Sequence, residues 1–324
     1  MIATGDAGGR TRRRARSASE DGRREYPQAA GPVASVGITP QRFPSWIRRP
    51  LAVHGQWDQA KTIVQQLNLH TVCQEARCPN LGECWSHGNV SFMILGDRCT
   101  RRCSFCAVET ARPGPVDEQE PDRLAEAVAQ LGLRYVVVTS VARDDLKDEG
   151  AALFAESVRA IHQRCPETQV EVLTPDFHAR PELIGSVTQA EPAVYNHNLE
   201  TVRRLSRSVR PQADYDRSLN VLQVAKSSGS VSMKTKSGLM VGLGERPEEV
   251  RESLADLRAV GCDIVTIGQY LRPTLAHQPV QEFIPPDQFE RYRIWGMEMG
   301  FSFVASAPYV RSSYNAFEAV GLKA

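Results

Sequence analysis

The chain has 324 residues, of which 41% are hydrophobic and 24% are charged. This length suits one large α/β domain with a sizeable core, and a formal net charge of +1 gives no electrostatic sign of a nucleic-acid partner. The sequence contains no run of about 20 apolar residues, so no membrane span is expected. Neither a nucleic acid nor a membrane is therefore predicted as a partner.

Residues 1–40 are predicted to form a disordered tail, because they are rich in arginine, glycine, alanine and serine and have almost no apolar pattern. The tail is either a solvated extension or a transit peptide, and its four acidic residues are unusual for the second. A cytoplasmic location is expected, or an organellar one if the tail is a transit peptide. Order is predicted to begin near Pro44.

Helical and strand-like patterns alternate along the rest of the chain. A short helix is expected first, at 56–67, and a buried strand follows the cysteine-rich region at 90–95. Later helices are predicted at 121–131, 150–164, 213–226, 247–260 and 286–299, with another starting at 200–205; later strands are predicted at 134–140, 170–173, 193–196, 232–241, 263–268 and 301–305.

This alternation predicts a parallel sheet whose faces are covered by helices. An open doubly wound sheet and a β/α barrel both fit about six or seven βα units. In both architectures the chemistry lies at the carboxyl ends of the strands. Polar clusters at 140–145, 174–176 and 196–198 follow predicted strands and therefore point to that edge.

The cysteines are the unusual feature of the composition, since six of the eight fall between residues 73 and 106. A chain of this size does not need disulfides to hold its core, and it begins without an apolar signal segment. Clustered thiols in a reducing compartment indicate metal ligation. Cys165 and Cys262 stand apart and are interpreted as inert packed residues.

The second cysteine triplet, Cys99, Cys103 and Cys106, has C-x3-C-x2-C spacing and directly follows a predicted strand. Thiolates suit iron–sulfur clusters or zinc. Three local ligands leave one metal position open, as substrate or cofactor binding requires. Zinc is the competing interpretation, but its usual paired short spacings are absent.

The first triplet, Cys73, Cys78 and Cys84, has C-x4-C-x5-C spacing. Two triplets of different spacing imply two separate metal centres. The fourth ligand of this one is a distant residue, a solvent molecule or a substrate.

The C-x3-C-x2-C run, with Phe105 before its last cysteine, resembles the signature of the radical S-adenosylmethionine superfamily. The resemblance implies a 4Fe–4S cluster on Cys99, Cys103 and Cys106, whose open iron chelates S-adenosylmethionine. One electron then cleaves the sulfonium and gives a 5′-deoxyadenosyl radical that abstracts hydrogen. The glycine-containing run at 238–245 resembles the strand that approaches the adenine in that superfamily.

Both triplets together resemble the lipoyl synthase family, over about residues 46–322. Further stretches match the family pattern: TSVARDDL at 139–146, NHNLET at 196–201, VRP at 209–211, TKSG at 235–238, GQYL at 268–271 and RSSY at 311–314. The resemblance implies a partial (β/α)6-type TIM barrel at 90–305. An N-terminal extension at 41–89 and a C-terminal segment at 306–324 would then carry an auxiliary 4Fe–4S cluster, with Ser313 as its fourth ligand.

The implied activity is that of a sulfurtransferase, which inserts two sulfur atoms at C6 and C8 of an octanoyl chain on a carrier-protein lysine. The auxiliary cluster would be the sulfur source. The implied partners are octanoylated carrier domains of a 2-oxoacid dehydrogenase E2 subunit and the glycine-cleavage H protein, an electron donor such as ferredoxin or flavodoxin, and an iron–sulfur carrier.

Residues at the strand ends are candidate contacts for S-adenosylmethionine. Arg143 and Asp144 have a structural ion pair as their alternative role, and Asn198 has helix N-capping. Lys236 either meets a carboxylate or lies at the surface. The candidate contacts are Arg143, Asp144, Asn196, Asn198, Glu200, Gly242 and Gln269.

Two other functions stay open at this point. The first is another sulfur-inserting radical enzyme, of the biotin-synthase or methylthiolation type. The second is a non-catalytic protein, either a two-cluster electron carrier or a zinc-scaffolded binding module. The upstream triplet and the RSSY run argue against the first, and the long β/α chain argues against the second.

Overall fold

A computed structural model describes residues 43–47 and 57–322, so the predicted tail at 1–40 lies outside the described residues. The N-terminal extension is a string of short elements that ends at the barrel. After a 3-10 helix at Ser45–Ile47 it comprises α1 (Trp57–Gln66), β1 (His70–Thr71), α2 (Val72–Glu75) and α3 (Leu81–Ser86).

The strands and helices then alternate as the sequence predicts. Their bounds are β2 (Ser91–Ile94), β3 (Arg98–Cys99), β4 (Glu109–Thr110), α4 (Glu120–Leu131), β5 (Tyr135–Ser140), α5 (Ala151–Arg164), β6 (Gln169–Leu173), α6 (Pro181–Thr188), β7 (Val194–Asn196), α7 (Arg203–Val209), α8 (Tyr215–Ser228), β8 (Lys234–Val241), α9 (Pro247–Ala259), β9 (Ile264–Gln269), α10 (Pro286–Glu298) and β10 (Phe303–Ser306). Further 3-10 helices lie at Phe177–Ala179 and Ala316–Val320.

The main sheet decides between the two predicted architectures. Within the described residues it has eight strands in the order β1-β2-β5-β6-β7-β8-β9-β10. Every pair from β2 to β10 is parallel, and β1 adds antiparallel to β2. A doubly wound sheet reverses its strand order at a switch point, whereas this one runs in chain order. The prediction of a partial barrel is confirmed.

The helices pack outside this curved sheet. In the outer layer α4 contacts α5, α5 contacts α6, α6 contacts α8 and α9 contacts α10. Sequence punctuation sets their ends: Pro121 lies in the first turn of α4, and Gly132 closes that helix in the left-handed conformation, with φ 60°. The apolar core lies between the helices and the sheet, with Leu124, Phe154 and Val172 fully buried.

The inner face of the barrel buries a charged cluster. Lys236 Nζ on β8 donates to both Glu171 carboxylate oxygens on β6, at 2.9 Å each. Tyr135 Oη donates to the same carboxylate at 2.6 Å, and Asn196 Nδ2 donates to it at 2.7 Å. Lys236 therefore meets a carboxylate rather than the surface. Every oxygen of the buried carboxylate has partners, which buried charge requires.

One predicted helix start is wrong. The expected helix at 200–205 begins at Arg203, with Val202 at its N-cap, so Asn198 is not an N-cap. The physical reason is a parallel bridge between Glu200 and Leu239, which extends the β7 chain along β8. Glu200 has φ 67°, so the chain turns there before the helix can begin.

None of the described helices combines the length and apolar character that a membrane crossing needs.

We expect Lys236→Met to lower the free energy of unfolding by about 3–5 kcal/mol, because it leaves the Glu171 carboxylate buried without its cation. The double variant Glu171→Gln/Lys236→Met should recover most of that loss. Urea unfolding followed by circular dichroism measures both. Arg293→Ala, at the exposed Arg293–Glu290 pair, is the control and should leave the midpoint unchanged. A double variant as unstable as the single one would contradict this account.

Candidate metal centres

The Cys99–Cys106 loop starts at the carboxyl end of β2 and is held by backbone donors. Ala142 N, just after β5, donates to Cys99 Sγ at 3.3 Å, and Arg101 N donates to it at 3.4 Å. N–H donors stabilise the anionic form of a sulfur. Ser104 N donates to the Val209 carbonyl at 2.9 Å, which fixes the middle of the loop.

Arg101 stabilises this loop through ion pairs with two carboxylates. Its guanidinium contacts Asp144 at 2.6 Å and the fully buried Asp176 at 2.8 Å. Burial opposes the ionisation of Asp176, but the Arg101 contact outweighs it and holds the pKa of that carboxyl well below its usual range. The loop shape is therefore fixed by charged groups other than the cysteines.

Burial favours the neutral thiol at two cysteines of this loop. Burial raises the pKa of Cys103 to about 11 and that of Cys106 to about 12. Arg210 lowers the pKa of Cys103 in part, and Glu200 raises it, so both side chains lie near that sulfur. A bound metal cation supplies the charge that converts such thiols to thiolates.

The first cysteine triplet forms a second site with residues from the other end of the chain. Cys73, Cys78, Cys84 and Ser313 line one small cavity, closed by Asn80, Asn89 and Ser91. Three thiols and a hydroxyl are a donor set that suits iron. The structure thus brings Ser313 to the triplet that lacks a fourth local ligand.

Buried polar atoms around this cavity also fit a bound group. Among the described residues around it, Asn80 Oδ1 and Asn89 Nδ2 are buried without a hydrogen-bond partner. Asn80 and Asn89 line the cavity, and Trp85 lies beside Cys73. Buried polar groups normally have partners. A bound group with acceptor atoms would satisfy the Asn89 donor.

In the described part of the chain, ligand atoms of three or more His, Cys, Asp or Glu residues lie within 4.8 Å of one another only in the group Asp144, Glu149 and His178.

The two carboxylates of the Asp144, Glu149 and His178 group already form ion pairs with arginines. Arg101 binds Asp144, and Arg180 contacts Glu149 at 3.1 Å. His178 Nδ1 lies 2.8 Å from Glu149 Oε1. These contacts make the group an ion-pair cluster.

Two short contacts attach the Ser313 segment to the N-terminal extension. Asn80 Nδ2 donates to the Tyr309 carbonyl at 2.7 Å, and Tyr314 Oη donates to Glu83 at 3.0 Å. Asn80 and Glu83 lie between Cys78 and Cys84. The chain ends are thus joined on both sides of Ser313.

Several predicted S-adenosylmethionine contacts lie at the carboxyl edge but have structural partners. Arg143 is buried and binds Asp145 at 2.9 Å, as the structural alternative predicts. Asp144 binds Arg101. Asn196, Asn198 and Glu200 lie together at the end of β7, where Asn198 Nδ2 donates to Glu200 at 3.0 Å.

Gly242 and Gln269 contact each other. Gly242 has φ 97°, and a Cβ there would lie 2.1 Å from Gln269 Nε2 and 2.5 Å from the Glu282 carbonyl, so a larger residue has no space. The Gln269 amide donates to the carbonyls of Val241, Tyr270 and Glu282 and accepts from Ile284 N. Its side chain is committed to the main chain, and the geometry gives no support to its predicted cofactor contact.

Sequence reasoning missed Arg101, Asp176 and Arg210 as parts of the site. Arg101 lies inside the cysteine motif, and Asp176 follows a predicted strand. The sequence position of each residue therefore indicated that it lies near the carboxyl edge of the sheet. Their pairing joins residues 75 positions apart, which no local pattern reveals.

A larger cavity of about 620 Å³ lies away from both triplets, among Gly132, Arg134, Cys165 and Leu322. It opens between the start of β5 and the start of β6, at the edge opposite the cysteine loop. The larger cavity therefore contains neither cysteine triplet, and the candidate metal centres lie elsewhere.

Fold and cysteine geometry together define a radical S-adenosylmethionine enzyme, and residues 93–257 match the model of the radical SAM superfamily. Residues 20–78 match the model described as the N-terminal domain of lipoyl synthase of that family. The chain is 55% identical over 275 residues to the lipoyl synthase of Thermus thermophilus, covering 84% of this chain and 85% of the relative. It is 52% identical over 287 residues to that of Methylococcus capsulatus, covering 88% of each.

The chain therefore belongs to the lipoyl synthase family. The resemblance drawn from the two cysteine spacings and the RSSY run is confirmed. A superfamily member of this kind uses S-adenosylmethionine with a 4Fe–4S cluster.

Solved structures agree on the fold alone. The crystal structure of Streptococcus suis SuiB bound to S-adenosylmethionine has a TM-score of 0.52 at 12% identity, over 72% of this chain and 54% of that one. A HydG maturase of the [FeFe]-hydrogenase has a TM-score of 0.51 at 14% identity, over 78% of this chain and 68% of that one.

His197, between the predicted contacts Asn196 and Asn198, should make stability depend on pH. Burial lowers its pKa to about 4, against an ordinary value of about 6.5. Its contribution is present above about pH 6.5 and is lost as pH falls towards 4, so unfolding free energy should drop by about 2 kcal/mol between pH 7.5 and 5. Urea titrations at both pH values should show that drop shrinking in His197→Gln. The exposed His87→Gln is the control, and an equal drop in His197→Gln would contradict the assignment.

Proposed function

We propose that this protein inserts sulfur at C6 and C8 of an octanoyl chain carried on a protein lysine. The observation that carries the proposal is the cavity shared by Cys73, Cys78, Cys84 and Ser313, which sits beside a barrel with a second cysteine triplet. Two inequivalent sites in one chain match a reaction that needs both a hydrogen-abstracting centre and a store of sulfur.

In this proposal Cys99, Cys103 and Cys106 hold the catalytic 4Fe–4S cluster. When bound, that cluster supplies the electron that opens S-adenosylmethionine for hydrogen abstraction. Arg101 keeps the loop rigid through Asp144 and Asp176. The backbone donors to Cys99 Sγ fix the position of that sulfur. Arg210 lowers the pKa of Cys103 in part and so favours the thiolate that ligation requires.

Asn196, Asn198, Glu200 and Gly242 are the proposed contacts of S-adenosylmethionine. Asn198 and Glu200 stand at the end of β7, and Glu200 is close enough to Cys103 to raise the pKa of its thiol. Carboxylate and amide groups near Cys103 would be suited to bind a ribose or an amine of S-adenosylmethionine. Arg143 and Asp144 are assigned supporting roles through their ion pairs with Asp145 and Arg101. Gln269 is assigned one through its hydrogen bonds to the main chain.

Cys73, Cys78, Cys84 and Ser313 hold the proposed auxiliary cluster. A serine oxygen is a harder donor than a thiolate and is less well matched to an iron–sulfur cluster, so Ser313 would be the most replaceable of the four ligands. The extension at 41–89 and the segment at 306–324 would then form one functional unit around the barrel at 90–305.

The proposed partners follow from the substrate. Octanoylated domains of a 2-oxoacid dehydrogenase E2 subunit and the glycine-cleavage H protein would present the acyl lysine. A ferredoxin or flavodoxin would supply electrons, and an iron–sulfur carrier would rebuild the consumed cluster. We propose a cytoplasmic location, or an organellar one if residues 1–40 act as a transit peptide.

The protein reconstituted with iron and sulfide should hold about eight irons per chain, as two four-iron clusters require. With dithionite, S-adenosylmethionine and an octanoyl-lysine peptide it should release 5′-deoxyadenosine and add two sulfurs to the peptide, read by mass spectrometry. A Cys99→Ala variant is the control and should do neither. Iron binding and cleavage with an unmodified peptide would indicate a different substrate, and tightly bound zinc without cleavage would overturn the proposal.

Ser313→Ala should stop sulfur insertion while S-adenosylmethionine cleavage continues, because the barrel triplet is untouched. Ser313→Cys should also lose insertion, since a fourth thiolate does not leave. Ser302→Ala, at an exposed serine whose hydroxyl donates to the Asp263 carbonyl, is the control and should give full product. Full lipoyl product from Ser313→Ala would sink this ligand assignment.

A further inference from the structure

We propose that Ser312 is a positioning residue that fixes Ser313 relative to the end of β7. It would thereby hold the two cysteine sites at a fixed position relative to each other. The functional part of this inference rests on the proposed ligand role of Ser313. Its structural part rests on hydrogen bonds within the chain.

The segment around Ser312 is a tight turn. Tyr314 N donates to the Arg311 carbonyl at 3.0 Å, which places Ser312 and Ser313 at the two central positions of a β-turn. Ser313 faces the cysteine cavity. Ser312 makes its contacts with the barrel, so one turn presents two hydroxyls to two parts of the molecule.

Ser312 is held by two asparagines at the end of β7. Its Oγ donates to Asn198 Oδ1 at 2.8 Å and accepts from Asn196 Nδ2 at 2.8 Å. One hydroxyl used as both donor and acceptor has a fixed orientation.

The two asparagines extend the chain of hydrogen bonds in opposite directions. Asn196 continues to the buried Glu171 and Lys236 pair. Asn198 continues to Glu200, whose charge reaches Cys103. Ser312 is therefore the link between the Ser313 turn, the rigid barrel interior and the surroundings of the second cysteine triplet.

The backbone before the turn is pressed against the sheet. A Cβ on Gly268 of β9 would lie 1.9 Å from the Val310 carbonyl oxygen, so glycine is needed for that close approach. On the far side of Ser313, Tyr314 reaches Glu83. The turn thus has an anchor on each side of Ser313, and Ser312 supplies the anchor towards the barrel.

Removal of the Ser312 hydroxyl should loosen the turn in a way that hydrogen exchange detects. In Ser312→Ala the amides of Val310 and Tyr314 should exchange about tenfold faster, because two hydrogen bonds to buried partners are lost. Ser312→Thr retains the hydroxyl and should restore protection, and Ser302→Ala is the matched control. Unchanged exchange in Ser312→Ala would overturn the positioning role.

The functional consequence is measured as 5′-deoxyadenosine released per sulfur inserted. Ser312→Ala should raise this ratio, because the auxiliary site is no longer held at a fixed position relative to the site of cleavage. Ser312→Thr should return the ratio to the original value. Faster exchange with an unchanged ratio would refute the coupling between the sites. Full product from Ser313→Ala would instead refute the ligand role, and the exchange result would still decide the role of Ser312.

Discussion

Parallel pairing of seven strands in chain order is the constraint from which both sites follow. It brings every carboxyl-end loop to one edge, so that the loop after β2, the Arg143 loop and the end of β7 become neighbours although they are distant in sequence. The cysteine loop is then held by groups from β5 and β6, chiefly Asp144 and Asp176. A closed barrel would leave no gap between its first and last strands. Here β1 pairs with the free edge of β2. The N-terminal extension that contains β1 also carries the three cysteines of the first triplet.

Buried charged side chains of the barrel form ion pairs with one another. Glu171 and Lys236 pair inside the barrel, and Arg101 pairs with two carboxylates under the cysteine loop. Buried charge that is fully paired costs stability compared with apolar packing, but it permits few alternative arrangements. The barrel interior therefore serves as a rigid reference for the loops above it. The Asn196 contact with Glu171 extends that rigidity towards the RSSY turn.

Much of the fold and the site chemistry was predictable because it is local. The strand-helix alternation comes from side-chain periodicity, and the helix bounds follow punctuation such as Pro121 and Gly132. The cysteine spacings indicated two centres. The start of α7 was missed, because the bridge from Glu200 to Leu239 competes with the helical pattern. Arg101 with Asp176, and Ser312 with Asn196, were missed because each pair depends on tertiary placement.

The cavity of Cys73, Cys78, Cys84 and Ser313 is built from segments on both sides of the barrel sequence. Tyr314, which lines it, donates a hydrogen bond to Glu83, 231 positions earlier in the chain. During synthesis the three thiols emerge before the barrel, and the proposed fourth ligand, Ser313, emerges after it. The entropy cost of closing so long a loop is smaller once the intervening sheet has folded. A chain whose barrel has not folded therefore presents three thiols apart from Ser313, and the complete donor set of the proposed site reports that the barrel between its parts has folded.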